Sequence, residues 1–538
     1  MEKTEPEGFP SRHWIVHVSP ELEKVRSPQA WGAAEDRRLE TIASRLGLQP
    51  PSEPLRLFLY GSTDRKEAAA GDDDPFTLEI GRRAVHHLVS PGGEITDARG
   101  DALLLLRLAW GEPGSERMAE AVARYAVGAF QGHPLPAYAA RIAREEEPYP
   151  LRDILQLGPE TAAPLSPLVM DALGGAWVER MREREGIAVL RKLWSASLKP
   201  GEELEQDWRK WLSGLSASPR EAPIPRKLPF LRGISFSHEV RREGYGSDVA
   251  GEQLARMRRL GANAVAIVPY AFTRAPDETT VRYRGTDESD ARVIRAIRQA
   301  KRLGLRTILK PQVWGRRFTG DIVFAKQADF DRWFADYRRW MLHQARLAAL
   351  ERADLLVIGT ELGGLTRQQD AWRRLIRDVR RIYSGPVTYA ANWAGDFEQM
   401  PFWDALDVLG LNMYYPLAGP GEPPNARSPR VRELKARLAG ISRRHRKPIL
   451  FTEVGYAASA AAAVEPWKED HAPLDPRMQA RCYEVVFQAF SKEPWLAGLF
   501  WWKWPSHGQG DPQDRSFSPL GKPALKVLER WYGGSTRR

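Results

Sequence analysis

Residues 354–362 read DLLVIGTEL. The run from Leu355 to Ile358 is wholly apolar, too short for a helix, and bounded by Asp354 and Gly359. That is the signature of a strand covered on both faces, as in a parallel sheet. A glutamate, Glu361, follows directly. The same order returns in residues 447–456, KPILFTEVGY, where Ile449 to Thr452 leads into Glu453.

Working outward, short β-branched runs alternate with amphipathic helices. Leu231 to Phe236 reads as a first strand. A helix follows from Ser247 to Leu260, with Gly261 as its stop. Asn263 to Val268 is a second strand, Asp290 to Leu303 a helix closed by Gly304, and Arg306 to Val313 a third strand. The long helix Asp329 to Leu350 places Trp333, Phe334, Tyr337, Trp340 and Met341 at helical spacing. Asp354 to Gly359 is the fourth strand, and Trp372, Leu375, Ile376 and Val379 mark the next helix. Val387 to Ala391, Val408 to Leu411, Ile449 to Thr452 and Leu499 to Trp502 supply strands five to eight, with a short helix expected over Phe397 to Asp404. Eight strands alternating with helices over about 300 residues fit a closed (β/α)8 barrel. An open doubly wound sheet also alternates, but no glycine-rich phosphate fingerprint follows the first strand.

Upstream the rhythm changes. His13 to Val18 and Leu55 to Tyr60 read as strands, and Phe76 to Ile80 and Ala84 to Val89 as two more that would form a hairpin. Helical stretches follow at Asp97 to Ala109, Glu116 to Phe130, Leu165 to Glu183 and Ile187 to Ser195, giving an α+β class. Residues 216–229, SASPREAPIPRKLP, carry four prolines, which deny helix hydrogen bonds. The chain is expected to divide into an α+β accessory domain over 1–214, a Pro-rich linker over 215–229 and the barrel over 230–538.

The bulk composition excludes several functions. No apolar run approaches the roughly 18 residues that span a bilayer. The net charge of +11 is spread along the chain beside acids, as in Arg241-Arg242-Glu243, and forms no basic arm, so no nucleic-acid partner is expected. A single cysteine, Cys482, rules out an intrachain disulfide and a cysteine-based zinc site, and reads as a small buried apolar residue. No His/Asp/Glu cluster has metal-ligand spacing, so neither metal nor other cofactor is called for. The polar, acidic first ten residues lack the features of a secretion signal. A cytoplasmic protein is expected, or a secreted or periplasmic one if a leader has been removed. Oligomeric state is not readable.

Barrel active sites form at the C-terminal ends of the strands, so the residues there are the ones to inspect. Glu361 and Glu453 end strands four and seven. A carboxylate after an apolar strand is costly to bury without a task or a partner. A facing pair suits cleavage of a glycosidic bond, one group protonated to release the leaving sugar and the other ionised to attack. The alternative is that each glutamate pairs with a nearby arginine or lysine as structural support. Aromatic platforms for sugar faces are expected nearby. Trp314, Trp393, Tyr414, Tyr415 and the cluster FWWKW (500–504) fall at strand ends, though any one of them can equally be core. His238, Lys310, Gln312 and Asn412 lie at the ends of strands one, three and six. Each could hold a sugar hydroxyl or serve as a local hydrogen-bond partner.

The stretches GTEL (359–362), TYAANW (388–393), FWDALDVLGLNMYYPL (402–417) and KPILFTEVGY (447–456) together resemble glycoside hydrolase family 113. The resemblance runs from about Arg232 to Tyr532. It implies a retaining (β/α)8 enzyme of the endo-β-1,4-mannanase type acting on a β-linked glycan, with Glu361 as acid/base and Glu453 as nucleophile. Many members of the wider clan carry Asn before the acid/base; here Thr360 stands there. The contact to the 2-hydroxyl must then come from elsewhere, with Asn392 a candidate and a structural asparagine the alternative. In the clan a tryptophan on strand eight floors the cleavage subsite, which points to Trp502, or to Trp501 if the register differs. By the same resemblance Tyr414 would hydrogen-bond the nucleophile. A barrel that binds carbohydrate without cleaving it is the rival reading.

The N-terminal region also resembles the catalytic domain of gluzincin metallopeptidases. Its helix RGDALLLLRLAWG (99–111) places Arg99, Gly100 and Leu103 where a zinc motif needs His, Glu and His; only Glu120 matches a ligand position. The resemblance implies a degenerate, non-catalytic domain that packs beside the barrel, extends its cleft or binds another protein.

Overall fold

The computed structural model describes residues 8–146, 149–155, 166–196, 200–238, 243–275, 277–283, 289–469 and 472–534. The chain forms two compact units, residues 1–221 and 222–538. Residues 216–229 contain no helix or strand.

In the second unit eight parallel strands close on themselves: β1 (Leu231–Ser237), β2 (Ala264–Ile267), β3 (Arg306–Leu309), β4 (Leu355–Thr360), β5 (Val387–Asn392), β6 (Leu409–Met413), β7 (Ile449–Val454) and β8 (Leu496–Pro505). Closure comes from β8 pairing with β1, from Gly498 beside Leu231 to Pro505 beside Ser237. This excludes the open sheet. Inward side chains of small and branched residues, among them Ala264, Ala266, Ile308, Leu355, Val357, Ala390 and Leu450, fill the barrel with Phe500. It is a packed core rather than a pore. The strands are buried on both faces because helices cover the outside. The helix Asp248–Leu260 starts at Ser247, whose side chain accepts from the Ala250 amide, and ends at Gly261 in a left-handed conformation (φ 101°). The helix Gln327–Leu350 buries Trp333, Phe334, Tyr337, Trp340 and Met341, and Tyr337 donates to the Ile358 carbonyl at 2.8 Å. Cys482 is buried and free.

Two expectations need correction. The third strand does not run from Arg306 to Val313. The barrel strand ends at Leu309, and Gln312–Gly315 pairs instead with Tyr270–Thr273 in a parallel two-stranded ribbon. Pro269 and Pro311 stand at the two breaks, where a residue without an N–H cannot sustain the ladder. The helix expected over Phe397 to Asp404 is one turn, Asp396–Gln399, followed by a 3-10 turn, Trp403–Ala405. Met400, Pro401 and Phe402 separate them.

The first unit holds a mixed five-stranded sheet in the spatial order Phe9–Pro10, Trp14–Val18, Leu55–Tyr60, Ala84–Leu88, Phe76–Glu79. The last two are antiparallel. Helices Arg99–Trp110, Glu116–Val127, Pro167–Glu185 and Val189–Ser195 lie near the expected spans, while Pro28–Leu46, Thr63–Ala70, Leu135–Glu145, Glu202–Gly214 and the short helices Pro20–Glu23 and Leu151–Leu155 have no counterpart in the sequence expectations. Trp14, Trp31, Trp177, Trp194 and Trp208 are fully buried. Arg99 reaches Asp171 at 2.9 Å and brackets Asp97, and Glu120 pairs with Arg117 at 2.6 Å. A Cβ on Gly100 would come within 2.9 Å of both the His87 ring and Phe76, so the helix is pressed against the sheet where no larger residue fits.

Gly410 in β6 tests the tightness of the barrel. A Cβ there would collide with the Tyr389 carbonyl oxygen and meet Thr388 Oγ1 at 2.9 Å, and backbone on a neighbouring strand cannot swing aside. Gly410→Ala is expected to cost about 2 kcal/mol or more. In thermal unfolding this should appear as a Tm lowered by several degrees.

Candidate active site

Both candidate glutamates follow irregularities in their strands. In β4, Val357 faces Thr388 and Thr360 faces Ala390, so Ile358 and Gly359 together oppose Tyr389 alone. In β7, Phe451 faces Leu411 and Glu453 faces Asn412, leaving Thr452 as the extra residue. Such bulges re-aim the side chains beside them. Glu361 also adopts a left-handed backbone, φ 51°, which costs a non-glycine residue about 1–2 kcal/mol. Two hydrogen bonds hold it there: Glu361 N donates to the Ala390 carbonyl at 2.9 Å, and Leu362 N donates to Tyr389 Oη at 2.7 Å. Gly359 lets the Tyr389 ring pass, since a Cβ there would sit 2.6 Å from it.

Glu453 is buried, and both its oxygens have partners. Lys310 Nζ donates to Oε1 at 2.5 Å and Tyr414 Oη to Oε2 at 2.8 Å. Burial, reinforced by the two carboxylates, pushes Tyr414 well above the usual phenol range, so it stays a donor. Glu361 is partly accessible and accepts from Asn392 Nδ2 at 2.9 Å. Its carboxyl is pushed up to about 7, first by burial and then by the charge of Glu453; Asn412, Lys310 and Asn392 oppose the shift. The reading of the glutamates as structural ion pairs therefore fits Glu453, which has Lys310. It does not fit Glu361, whose hydrogen-bond partner is a neutral amide. The result is one carboxylate held beside a cation and one carboxyl that keeps its proton close to neutrality.

The model of the family described as Glycoside Hydrolase Family 113 matches residues 234–522. The chain belongs to that family. Among solved structures, the barrel is similar to a family 113 β-mannanase from Alicyclobacillus acidocaldarius, at 28% identity and a TM-score of 0.52, over 57% of this chain and 98% of the other. A family 113 β-1,4-mannanase seen in a complex is similar at 27% identity and a TM-score of 0.52, over 57% and 99%. No protein among those curated matches the chain.

The remaining candidates divide around the mouth of this family 113 barrel. Trp502 is half-buried and packs with Trp393 against Tyr414, Ala457 and Phe517. Lys310 Nζ lies 5.3 Å from the centre of its ring. Trp501 is not at the mouth. Strand alternation turns it outward, where it is buried and stacked on Tyr483 at 3.6 Å, while Phe500 on the other face lies in the barrel core. Asn412 likewise offers no surface to a sugar. It is fully buried beneath the site, accepts from Thr452 Oγ1 at 2.8 Å, and lies close enough to Glu361 to favour its ionised form without a well-formed hydrogen bond from Nδ2. His238 is buried at the end of β1, where Nδ1 accepts from the Tyr245 amide at 3.1 Å. Thr360 Oγ1 is buried with no hydrogen-bond partner. Asn392 holds Glu361 with its amide group and takes the Ala394 N–H on Oδ1 at 2.7 Å.

On one side of the mouth Trp393 meets Tyr415 and Trp467 at ring distances of 5.2 and 5.0 Å. Beyond β4, Trp314 stands on the ribbon beside Phe272. Trp467, Phe517 and Phe272 were missed from sequence. The first two lie in long loops without any repeat or motif. Phe272 carried a signal, alternation with Tyr270, that the break at Pro269 obscured.

The carboxyl pair can be titrated directly by 13C NMR with labelled glutamate, assigned by Glu361→Gln. Glu361 is expected to titrate near pH 7. Lys310→Met should move that titration upward, because the lysine charge favours the ionised form. Glu453→Gln should move it downward, because a negative neighbour has gone.

Proposed function

We propose that this glycoside hydrolase cleaves β-1,4-linked mannan with retention of configuration, using Glu453 as nucleophile and Glu361 as acid/base. The observation that carries the reading is the division of labour between the two carboxyls, one beside Lys310 and one pushed up to about 7. Pairs of titratable groups whose surroundings push them apart are how acid and base roles are assigned. The choice of mannan rests on the two family 113 β-mannanases to which the barrel is similar.

In the first step an oxygen of Glu453 attacks the anomeric carbon as Glu361 gives its proton to the departing glycosidic oxygen. The C–O bond to the leaving sugar breaks and a glycosyl ester on Glu453 forms. Lys310 and Tyr414 hold both oxygens of the attacking group in place, which limits the rotation that would misalign it. In the second step Glu361, now ionised, takes a proton from water. The water attacks the same carbon and frees Glu453. Trp502 supplies the apolar face over which the reacting sugar lies. The N-terminal unit takes no part in the chemistry on this reading, in keeping with the ion pairs that engage Arg99 and Glu120.

The sign of the pH dependence follows from Glu361. The first step needs it protonated, so kcat/KM should fall as pH rises through about 7. On β-mannan, Glu453→Ala is expected to lose at least about 10³-fold in kcat, and Glu361→Gln about 10²–10⁴-fold. Azide separates the roles. It should restore Glu453→Ala on an activated aryl mannoside to give the α-mannosyl azide, and Glu361→Ala to give the β-product. Wild-type activity with an inverted first product, or none on mannan and other β-glycans, would overturn the proposal.

A further inference from the structure

Beyond the rim, β2 and β3 are continued by Tyr270–Thr273 and Gln312–Gly315. Register places Tyr270 beside Gln312 and Phe272 beside Trp314. Ala271, Thr273 and Val313 turn inward and are buried, so the intervening side chains share the opposite face. On that face Phe272 and Trp314 are 40% and 48% exposed. Registered neighbours stand about 4.8 Å apart, and the Tyr270 and Phe272 ring centres are 6.5 Å apart. Phe318 and Val323, in the loop that follows, are 49% and 62% exposed. Seven large hydrophobic side chains are exposed among the described residues, and four of them lie in these two segments. Concentration of this kind marks a binding surface rather than scattered exposure.

The platform is tied to its surroundings and leads to the active site. Phe272 and Arg282 exchange backbone hydrogen bonds at 2.7 and 2.9 Å, which staples the ribbon's outer edge. The loop bearing Phe318 and Val323 packs on the turn after Glu361, because Gly364 leaves no room beyond the Ile322 carbonyl. From the end of β3 into the ribbon, Lys310, Gln312 and Trp314 stand at alternate positions across the break at Pro311. Lys310 holds Glu453, and Gln312 Oε1 lies 3.5 Å from Lys310 Nζ. At no more than about 3.3 Å per residue, Trp314 stands within about 13 Å of Lys310 along the chain. That is a few sugar units from the cleavage point. Flat aromatic faces suit the C–H faces of a pyranose, and exposed Arg316 and Arg317 can meet its hydroxyls.

We propose that the Phe272–Trp314 ribbon is a remote subsite that grips a β-linked glycan chain beyond the cleavage point and makes the enzyme favour long substrates. This rests on the hydrolase reading above and adds where the distant part of the chain is held. The test compares kcat/KM on mannohexaose and polymeric mannan with kcat/KM on mannotriose, for wild type, Trp314→Ala, Phe272→Ala and the double variant. The ratio of long to short is expected to fall about tenfold in the double variant, through KM rather than kcat, and to be largely restored in Trp314→Phe. Unchanged Tm and circular dichroism check folding. A ratio that holds, or a loss equal on both substrates, overturns the proposal. If wild type cleaves no mannan, calorimetric titration with mannohexaose and cellohexaose decides the matter. Binding by wild type that Trp314→Ala abolishes supports the subsite while the catalytic reading fails, and binding that is absent or insensitive to Trp314 overturns the subsite too.

Discussion

Two carboxyl groups and one ammonium share the barrel mouth, Glu453 and Lys310 buried and Glu361 partly so, and the charges and burial there constrain everything around them. Two negative charges at close range in such a medium are costly, and one buried cation offsets only one of them. Lys310 lies against Glu453, while burial first and the charge of Glu453 second push Glu361 toward its protonated form. The rise from 4.5 to about 7 corresponds to about 3 kcal/mol of preference for the neutral form. The same shift is a statement about stability. The folded state binds this proton more tightly than the unfolded chain does, so the contribution is complete below pH 4.5 and is lost as pH climbs to about 7. The fold thus carries, near neutrality, a cost at the position where a proton donor is useful.

Keeping the pair in that relation consumes further conformational energy. Glu361 stays in a left-handed backbone because Ala390 ties down its own amide and Tyr389 that of Leu362, and Tyr389 can do so only because Gly359 has no side chain. Strain of this kind persists where the surroundings over-determine it, and it clusters at functional sites. Asn392 and Asn412, neighbours across β5 and β6, complete the support from below. The clan's usual asparagine before the acid/base is Thr360 here, and its buried hydroxyl makes no hydrogen bond. Asn392 does not simply inherit the sugar contact, because it is already engaged with Glu361.

The sequence makes the large-scale pattern visible because it is periodic. Apolar strand runs, amphipathic helices and serine N-caps such as Ser247 each state a local preference, and here the local preferences agree with the barrel. The positions of Glu361 and Glu453 after apolar runs were legible for the same reason. What escaped was non-local. The bulge at Thr452 depends on pairing with β6 and β8, and the salt bridge from Lys310 spans 143 residues. The ribbon after Pro311 was hidden inside what reads as one strand. In the N-terminal unit six helices among the described residues were not legible, two of them of only four and five residues. Glu202–Gly214, for example, is polar along most of its length and buries only Trp208 and Leu212.

Strand parity decides which of the remaining residues belong to the site. On β8, Phe500 enters the core, Trp501 faces the helices, and Trp502 returns to the mouth; a shift of one residue would exchange a buried tryptophan for a binding surface. Past the end of β3 and across the break at Pro311, Lys310, Gln312 and Trp314 follow at alternate positions, from a buried ion pair to a half-exposed indole. Burial changes along this line while direction does not. The buried end fixes charge where chemistry needs it, and the exposed end presents area where a long substrate needs grip. A short extended segment, kept in phase across its break at Pro311, can therefore couple the reacting centre to a distant contact.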